Sequence, residues 1–207
     1  MRLPLFPLNT VLFPGGVLPL RVFEARYMDM VRQCMKDASP FGVVLITRGA
    51  EVGAPAATER IGTRASIDAW DMPQLGLLHL RAIGGQRFRI VERLVQSDGL
   101  QVADVEDIAP DEDAPLDDRF RPCAQLLQRV IADLDRRREE EGDEADLINT
   151  RPIEPPFLLG SSVWVGNRLS EFLPIPLPAK QKLMALQDAD ARLAVVDEFL
   201  RQHGVLK

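Results

Sequence analysis

Hydrophobic and polar positions change their spacing several times along this chain. Over residues 1–22, short apolar runs are punctuated by Pro4, Pro7, Pro14 and Pro19, with Gly15-Gly16 among them. Proline fixes φ and lacks a backbone donor, so no long helix can run through this stretch, yet its apolar residues need burial. Residues 3–8 and 17–22 are therefore predicted as core strands around a turn at Phe13-Pro14-Gly15-Gly16. From residue 23 the spacing becomes helical. Phe23, Tyr27, Met30, Val31 and Cys34 share one face, and Glu24, Asp29, Arg32 and Lys36 are left to solvent. Asp37-Ala38-Ser39-Pro40 ends this helix, since the residue before a proline is driven out of the helical region.

Residues 41–47 (FGVVLIT) form a continuous apolar run and predict a strand buried on both faces; residues 48–57 read as a loop. Residues 61–70 alternate, Met72-Pro73 reads as a break, and residues 75–83 form another strand. Gly84-Gly85 reads as a turn into residues 87–93. There Arg87, Arg89, Val91 and Arg93 are assigned to one face, and Phe88, Ile90, Glu92 and Leu94 to the other. Ser97-Asp98-Gly99 signals a hairpin into a strand over 101–108. A β-rich unit with one early helix is expected, closed or nearly closed into a barrel because closure removes exposed edges.

Residues 109–115 are acidic and proline-rich and read as a linker, after which the period is helical. Leu126, Leu127, Val130, Ile131 and Leu134 make one stripe, and residues 136–146 form a charge block broken by Gly142, read as a solvated helix end and loop. Ile153-Glu154-Pro155-Pro156 cannot be helical. Ser161 or Ser162 caps a helix through Phe172 in which Val163, Trp164, Leu169 and Phe172 are apolar. Pro178 suits the first turn of a helix over 179–187. Asp188 caps a last helix lined by Leu193, Val196, Phe199 and Leu200 and stopped by Gly204. The expected fold is thus α+β: a β-barrel domain over residues 1–115 and an α-helical bundle domain of about four helices over residues 116–207.

Composition narrows the chemistry. The 207 residues are 46% hydrophobic and 27% charged, ordinary for a globular protein with a sizeable core. Net charge is −6; residues 1–110 are balanced, so the acidic surplus lies in the second half. Without a bulk basic stripe, and with aromatics at 6%, nucleic acid is disfavoured as a partner. No apolar run is long enough to span a bilayer, and the proline-rich start lacks a signal-peptide cleavage pattern, so no membrane role and a cytoplasmic location are expected. Cys34 and Cys123 are expected as buried free thiols. His79, in an apolar strand, and His203, at a helix end, are the whole histidine inventory. No metal-ligand spacing and no Walker phosphate loop occurs, and the adjacent acids Glu106-Asp107 and Asp117-Asp118 do not make a working pair. No catalytic residue, cofactor or metal is expected. The most specific polar feature is the Arg87, Arg89 and Arg93 face, which could contact a partner.

Two stretches together resemble a known family. The opening LPLFPLNTVLFPGGVLPLRVFEARY is similar to the start of the LON domain, the N-terminal substrate-binding region of ATP-dependent Lon proteases, and Gly85-Gln86-Arg87-Phe88-Arg89-Ile90 resembles its G-x-R-F-R-I motif. Leu169-Ser170-Glu171-Phe172-Leu173-Pro174, the Pro178-to-Met184 segment and the Arg192-Leu193 helix resemble the helical part that follows in bacterial Lon. The resemblance implies a PUA-like barrel followed by helices. It also implies a non-catalytic module that recognises protein substrates or partners: unfolded or partly exposed protein segments, or a protease or chaperone. No ATPase or peptidase motif is present in these residues, so a stand-alone LON-domain protein is expected, without those activities. The alternatives left open are RNA binding, as in other PUA-like barrels, and an uncharacterised hydrolase.

Overall fold

The computed structural model describes residues 1–141 and 151–207. The chain divides into two compact units. The described part of the first is Met1–Ala109; the second comprises residues 110–141 and Arg151–Lys207.

The first unit contains β1 (Arg2–Leu8), β2 (Val17–Val22), α1 (Ala25–Asp37), β3 (Phe41–Arg48), β4 (Ala57–Thr58), β5 (Ile61–Gln74), β6 (Leu77–Val95) and β7 (Gln101–Asp107). The pairings run β1-β7-β6-β5-β3, and β3 pairs again with β1, so the path returns to its start. β1 makes this possible by changing partner midway. Its residues 2–4 run antiparallel to β7, and residues 5–8 run parallel to β3. Where β1 has a ladder neighbour on only one side, Pro4 and Pro7 can lack a donor without leaving a gap in the ladder. Four strands of the circuit, β1, β3, β6 and β7, meet around one cluster, in which Leu3, Leu5, Val44, Phe88, Ile90, Ala103 and Val105 are buried. The Phe88 ring fits there because β5 has Gly62 opposite: a Cβ at Gly62 would lie 2.7 Å from Phe88 Cζ. A larger cluster joins α1 to the sheet through Tyr27, Met30, Val31 and Cys34 against Phe6, Leu20, Phe41 and Leu80.

The second unit contains a short 3-10 turn (Asp118–Phe120) and α2 (Arg121–Glu141), α3 (Ser162–Phe172), α4 (Leu177–Ala185) and α5 (Ala189–Gln202). α3 contacts each of α2, α4 and α5. Leu127, Ile131, Val165, Leu169, Leu193, Val196 and Leu200 are buried. Ser161 Oγ accepts from the Trp164 amide at 3.0 Å, and the Asp188 carboxylate accepts from the Ala191 amide at 2.9 Å, so both expected caps are in place.

Several expectations change. Phe23 lies outside α1 and is 58% exposed. Met72-Pro73 does not break the strand: β5 continues to Gln74, with Pro73 absorbed where the register shifts between Asp71 and Gln74. Gly84-Gly85 is not a turn, because β6 is continuous from Leu77 to Val95. Glycine is needed at residue 84 because the Phe13 carbonyl crosses it: a Cβ there would lie 2.2 Å from that oxygen. The Gly15 amide donates to Gly84 O at 2.7 Å, and the Gly84 amide to Gly16 O at 2.8 Å. The acidic segment read as a linker is held within the second unit. Leu116 N donates to Gly160 O, Ser161 Oγ to Asp113, and buried Asp111 pairs with buried Arg192 at 2.8 Å. In the charge block, residues 136–141 extend α2; residues 142–146 lie outside the described residues.

Candidate functional site

The three arginines assigned to one face are separated. Arg87 is 3% exposed, Arg89 is exposed and Arg93 is half-buried. A β-bulge explains why Arg93 leaves the face of Arg89. Arg89 pairs with Glu106 and Ile90 with Val105, but after Val91 the register slips, so Glu92 pairs with Asp104 and Arg93 with Ala103. An extra residue in one strand reverses the alternation beyond it. Arg93 therefore joins the face of Phe88 and Ile90, opposite to Arg89, and donates to Thr58 Oγ1 at 2.6 Å. Burial and neighbouring Arg60 hold its pKa below the usual arginine range. Only Arg89 of the three stands in solvent.

Each described histidine and cysteine is tied into its own surroundings. His79 is half-buried on β6 and has interactions of its own. His203 stacks on Phe199 at 4.0 Å, with Nδ1 2.8 Å from the Phe199 carbonyl. Both cysteines are free and buried. Burial raises the Cys34 pKa, and burial together with the Asp197 carboxylate raises Cys123 to about 12, so neither is a ready thiolate. Among the described residues, Glu171 is the carboxyl with a clear shift. Burial outweighs the attraction of Arg168 and Lys180 and pushes it up to about 7. Its neighbours account for it structurally: Arg168 lies 2.9 Å away, and Lys180 Nζ donates to the Glu171 carbonyl at 2.5 Å. Among the described residues, no group of three or more His, Cys, Asp or Glu could hold a metal ion, and no helix is long and apolar enough to cross a membrane.

A groove of about 490 Å³ in the first unit is suited to a ligand. It is lined by Phe6, Leu8 and Thr10, by Leu18 to Val22 of β2, by Phe23, Glu24 and Tyr27 at the start of α1, and by Glu51 and Val52. Its wall is aromatic: Phe6 and Tyr27 stack at 4.2 Å. Phe23 and Val52, 58% and 56% exposed, stand at it. Glu24 is neutralised by Arg26 at 2.8 Å, and Glu51 accepts the Asn9 amide at 2.6 Å. Burial raises the Tyr27 pKa, with Arg26 opposing, so the phenol stays neutral. Sequence reading missed this groove by giving Phe23 to the helix face. Glu24 stands in extended backbone just before α1, so the helix starts only at Ala25 and Phe23 falls outside it.

A family model described as the ATP-dependent protease La (LON) substrate-binding domain matches residues 2–202. The chain is 29% identical to Lon protease 2 of Myxococcus xanthus over 214 residues, covering 99% of this chain and 24% of that protein. It is 33% identical to protein cereblon of Gallus gallus over 117 residues, covering 55% of this chain and 25% of the relative. The chain thus spans about a quarter of the length of these relatives. Among solved structures, the Lon N-terminal domain protein from Xanthomonas campestris superposes with a TM-score of 0.74 at 34% identity, covering 95% of this chain and 96% of that one. The N-terminal domain of the Mycobacterium avium complex Lon protease shares the fold, with a TM-score of 0.59 at 17% identity over 98% of this chain and 100% of that one. With the match running from residue 2 to residue 202, this chain belongs to the LON substrate-binding domain family.

Proposed function

We propose that the protein is a non-catalytic module that binds protein segments, preferring unfolded or partly exposed apolar stretches over folded surfaces. The observation that carries this reading is an open groove with an apolar, aromatic wall in a chain of the LON substrate-binding family. An apolar groove favours a ligand that buries apolar side chains, and an unfolded polypeptide supplies them. We read the circuit of strand pairings as a closed PUA-like barrel and the four helices of the second unit as a bundle. The buried free thiols accord with action in the reducing cytoplasm. Arg89, exposed on β6, remains a candidate partner contact outside the groove.

The test uses the full chain with reduced, carboxymethylated α-lactalbumin, which stays unfolded, against the native form of the same protein. Fluorescence anisotropy should show binding at micromolar concentration to the unfolded form and not to the native one. The purified chain should turn over neither ATP nor peptide. Equal affinity for both forms, or binding to neither, sinks the reading.

A further inference from the structure

We propose that the groove takes an extended polypeptide segment as an added strand along the open edge of β2, with an Asp or Glu side chain of that segment meeting Arg21. This rests on the protein-binding reading above and says where and how the segment is held.

The strand edge comes first. β2 runs antiparallel to β6 from Val17 opposite Ile83 to Val22 opposite Leu78, and among the described residues it pairs with no other strand. In an antiparallel ladder, alternate residues turn both backbone groups toward the partner and the rest turn both away. Pro19 has no amide hydrogen to give to β6, and the Gly84 amide donates to Gly16 O at 2.8 Å. Both observations set the same parity: Leu18, Leu20 and Val22 bond β6, while Val17, Pro19 and Arg21 turn outward. The outer edge therefore presents the amides of Val17 and Arg21 and the carbonyls of Val17, Pro19 and Arg21.

The groove lies along this edge rather than over one face. Five consecutive residues, Leu18 to Val22, line it. Successive strand residues point to opposite faces, so only a space beside the strand can touch all five. Backbone groups beside an apolar wall need partners. An extended segment supplies them at strand spacing and places alternate side chains against the wall; a helix has its backbone groups already engaged. Pro19 leaves one donor missing, which weakens indiscriminate edge pairing without removing the remaining acceptors.

Charge selects the occupant further. Glu24 is committed to Arg26, and Glu51 to the Asn9 amide. Arg21 is exposed, and its side chain has no ion pair or hydrogen bond among the described residues. The uncommitted cation at the groove calls for a carboxylate on an otherwise apolar segment.

The probe is a ten-residue Val/Thr-rich peptide with one central Glu, titrated into the full chain and followed by anisotropy and by residue-resolved amide exchange. The Val17 and Arg21 amides should gain protection on binding. Arg21→Glu should weaken binding by about threefold or more, and changing the peptide's Glu to Lys should restore it, a rescue that a merely structural role would not produce. Binding with protection confined elsewhere, such as the exposed Trp70 and Leu75 region, overturns the proposal and leaves the protein-binding reading intact. So does binding of unfolded α-lactalbumin with none of the peptide. Protection of Val17 that rises with protein concentration before peptide is added means that a second copy fills the edge, and likewise overturns it. If neither probe binds, this proposal and the protein-binding reading fail together.

Discussion

At Gly84 the backbone of one segment passes so close to another that a single methyl group decides whether they fit. The Phe13 carbonyl would lie 2.2 Å from an added Cβ, and both atoms are backbone-anchored, so no side chain can rotate away. Gly84→Ala should cost about 1–3 kcal/mol, read as a lower urea midpoint with unchanged m-value. A neutral result would mean that the Phe13 segment is free to lift. Glu171 makes a second residue-scale prediction, through its proton. Its folded pKa is about 7 against an ordinary value of 4.5. Below 4.5 both states hold the proton. As pH rises the unfolded chain releases it first, so stability falls through the window up to about 7 and is flat above it. Burial of this carboxyl thus predicts a loss of about 3 kcal/mol across that window. Glu171→Gln should remove this slope from the pH–stability profile; a variant that keeps it assigns the slope to another group.

Among whole elements, the acidic segment that opens the second unit shows how a few polar contacts turn a would-be linker into structure. Asp111 and Arg192 have side chains only 3% and 1% exposed, and Arg192 also donates Nε to the Leu183 carbonyl at 2.9 Å. Removing the carboxylate strands a buried guanidinium. Asp111→Ala should destabilise the second unit by about 3–5 kcal/mol, measured by thermal or urea unfolding; a change below 1 kcal/mol would show that solvent reaches Arg192. Ser161 both caps α3 and donates to Asp113 at 2.6 Å, so it couples the same segment to the helix start. Of the stripe read on α2, Leu127 and Ile131 are buried, while Leu126, Val130 and Leu134 are half-buried. On α3 the apolar residues picked from sequence include Phe172, 40% exposed, while Arg168, Asn167 and Ser170 are buried. A helix surrounded by neighbours on several sides does not show a single apolar stripe.

For the molecule as a whole, charge and apolar surface point to different uses of its parts. The first unit is charge-balanced and carries the groove; the surplus acid lies beyond it in the chain. Binding of an unfolded polypeptide through an apolar wall should therefore change little between 0.05 and 0.5 M salt, apart from the modest contribution of Arg21. Binding that falls steeply and linearly with the logarithm of salt concentration would instead mark a counterion-releasing partner, and would count against the groove as its seat. Anisotropy titrations across that salt range settle which behaviour holds.

The sequence by itself determined the local elements, the caps and the family. Proline positions, β-branched runs and 3.6-residue spacing act within a few residues, and they placed β2, β3, α1 and the Ser161 and Asp188 caps with little error. Its opening stretch and G-x-R-F-R-I motif carried the LON resemblance that the family match bears out. Only the tertiary structure decided which strand edges meet and which remain open. The bulge at Val91 sends Arg93 away from Arg89, and Gly84 serves a backbone crossing from a segment some seventy residues earlier. Register slips and close backbone approaches depend on partners distant in sequence, and no local pattern encodes them. The groove belongs to the same class. It exists because β2 has a neighbour on one side only, while Phe6, Tyr27 and Val52 come from separate parts of the chain to wall the other.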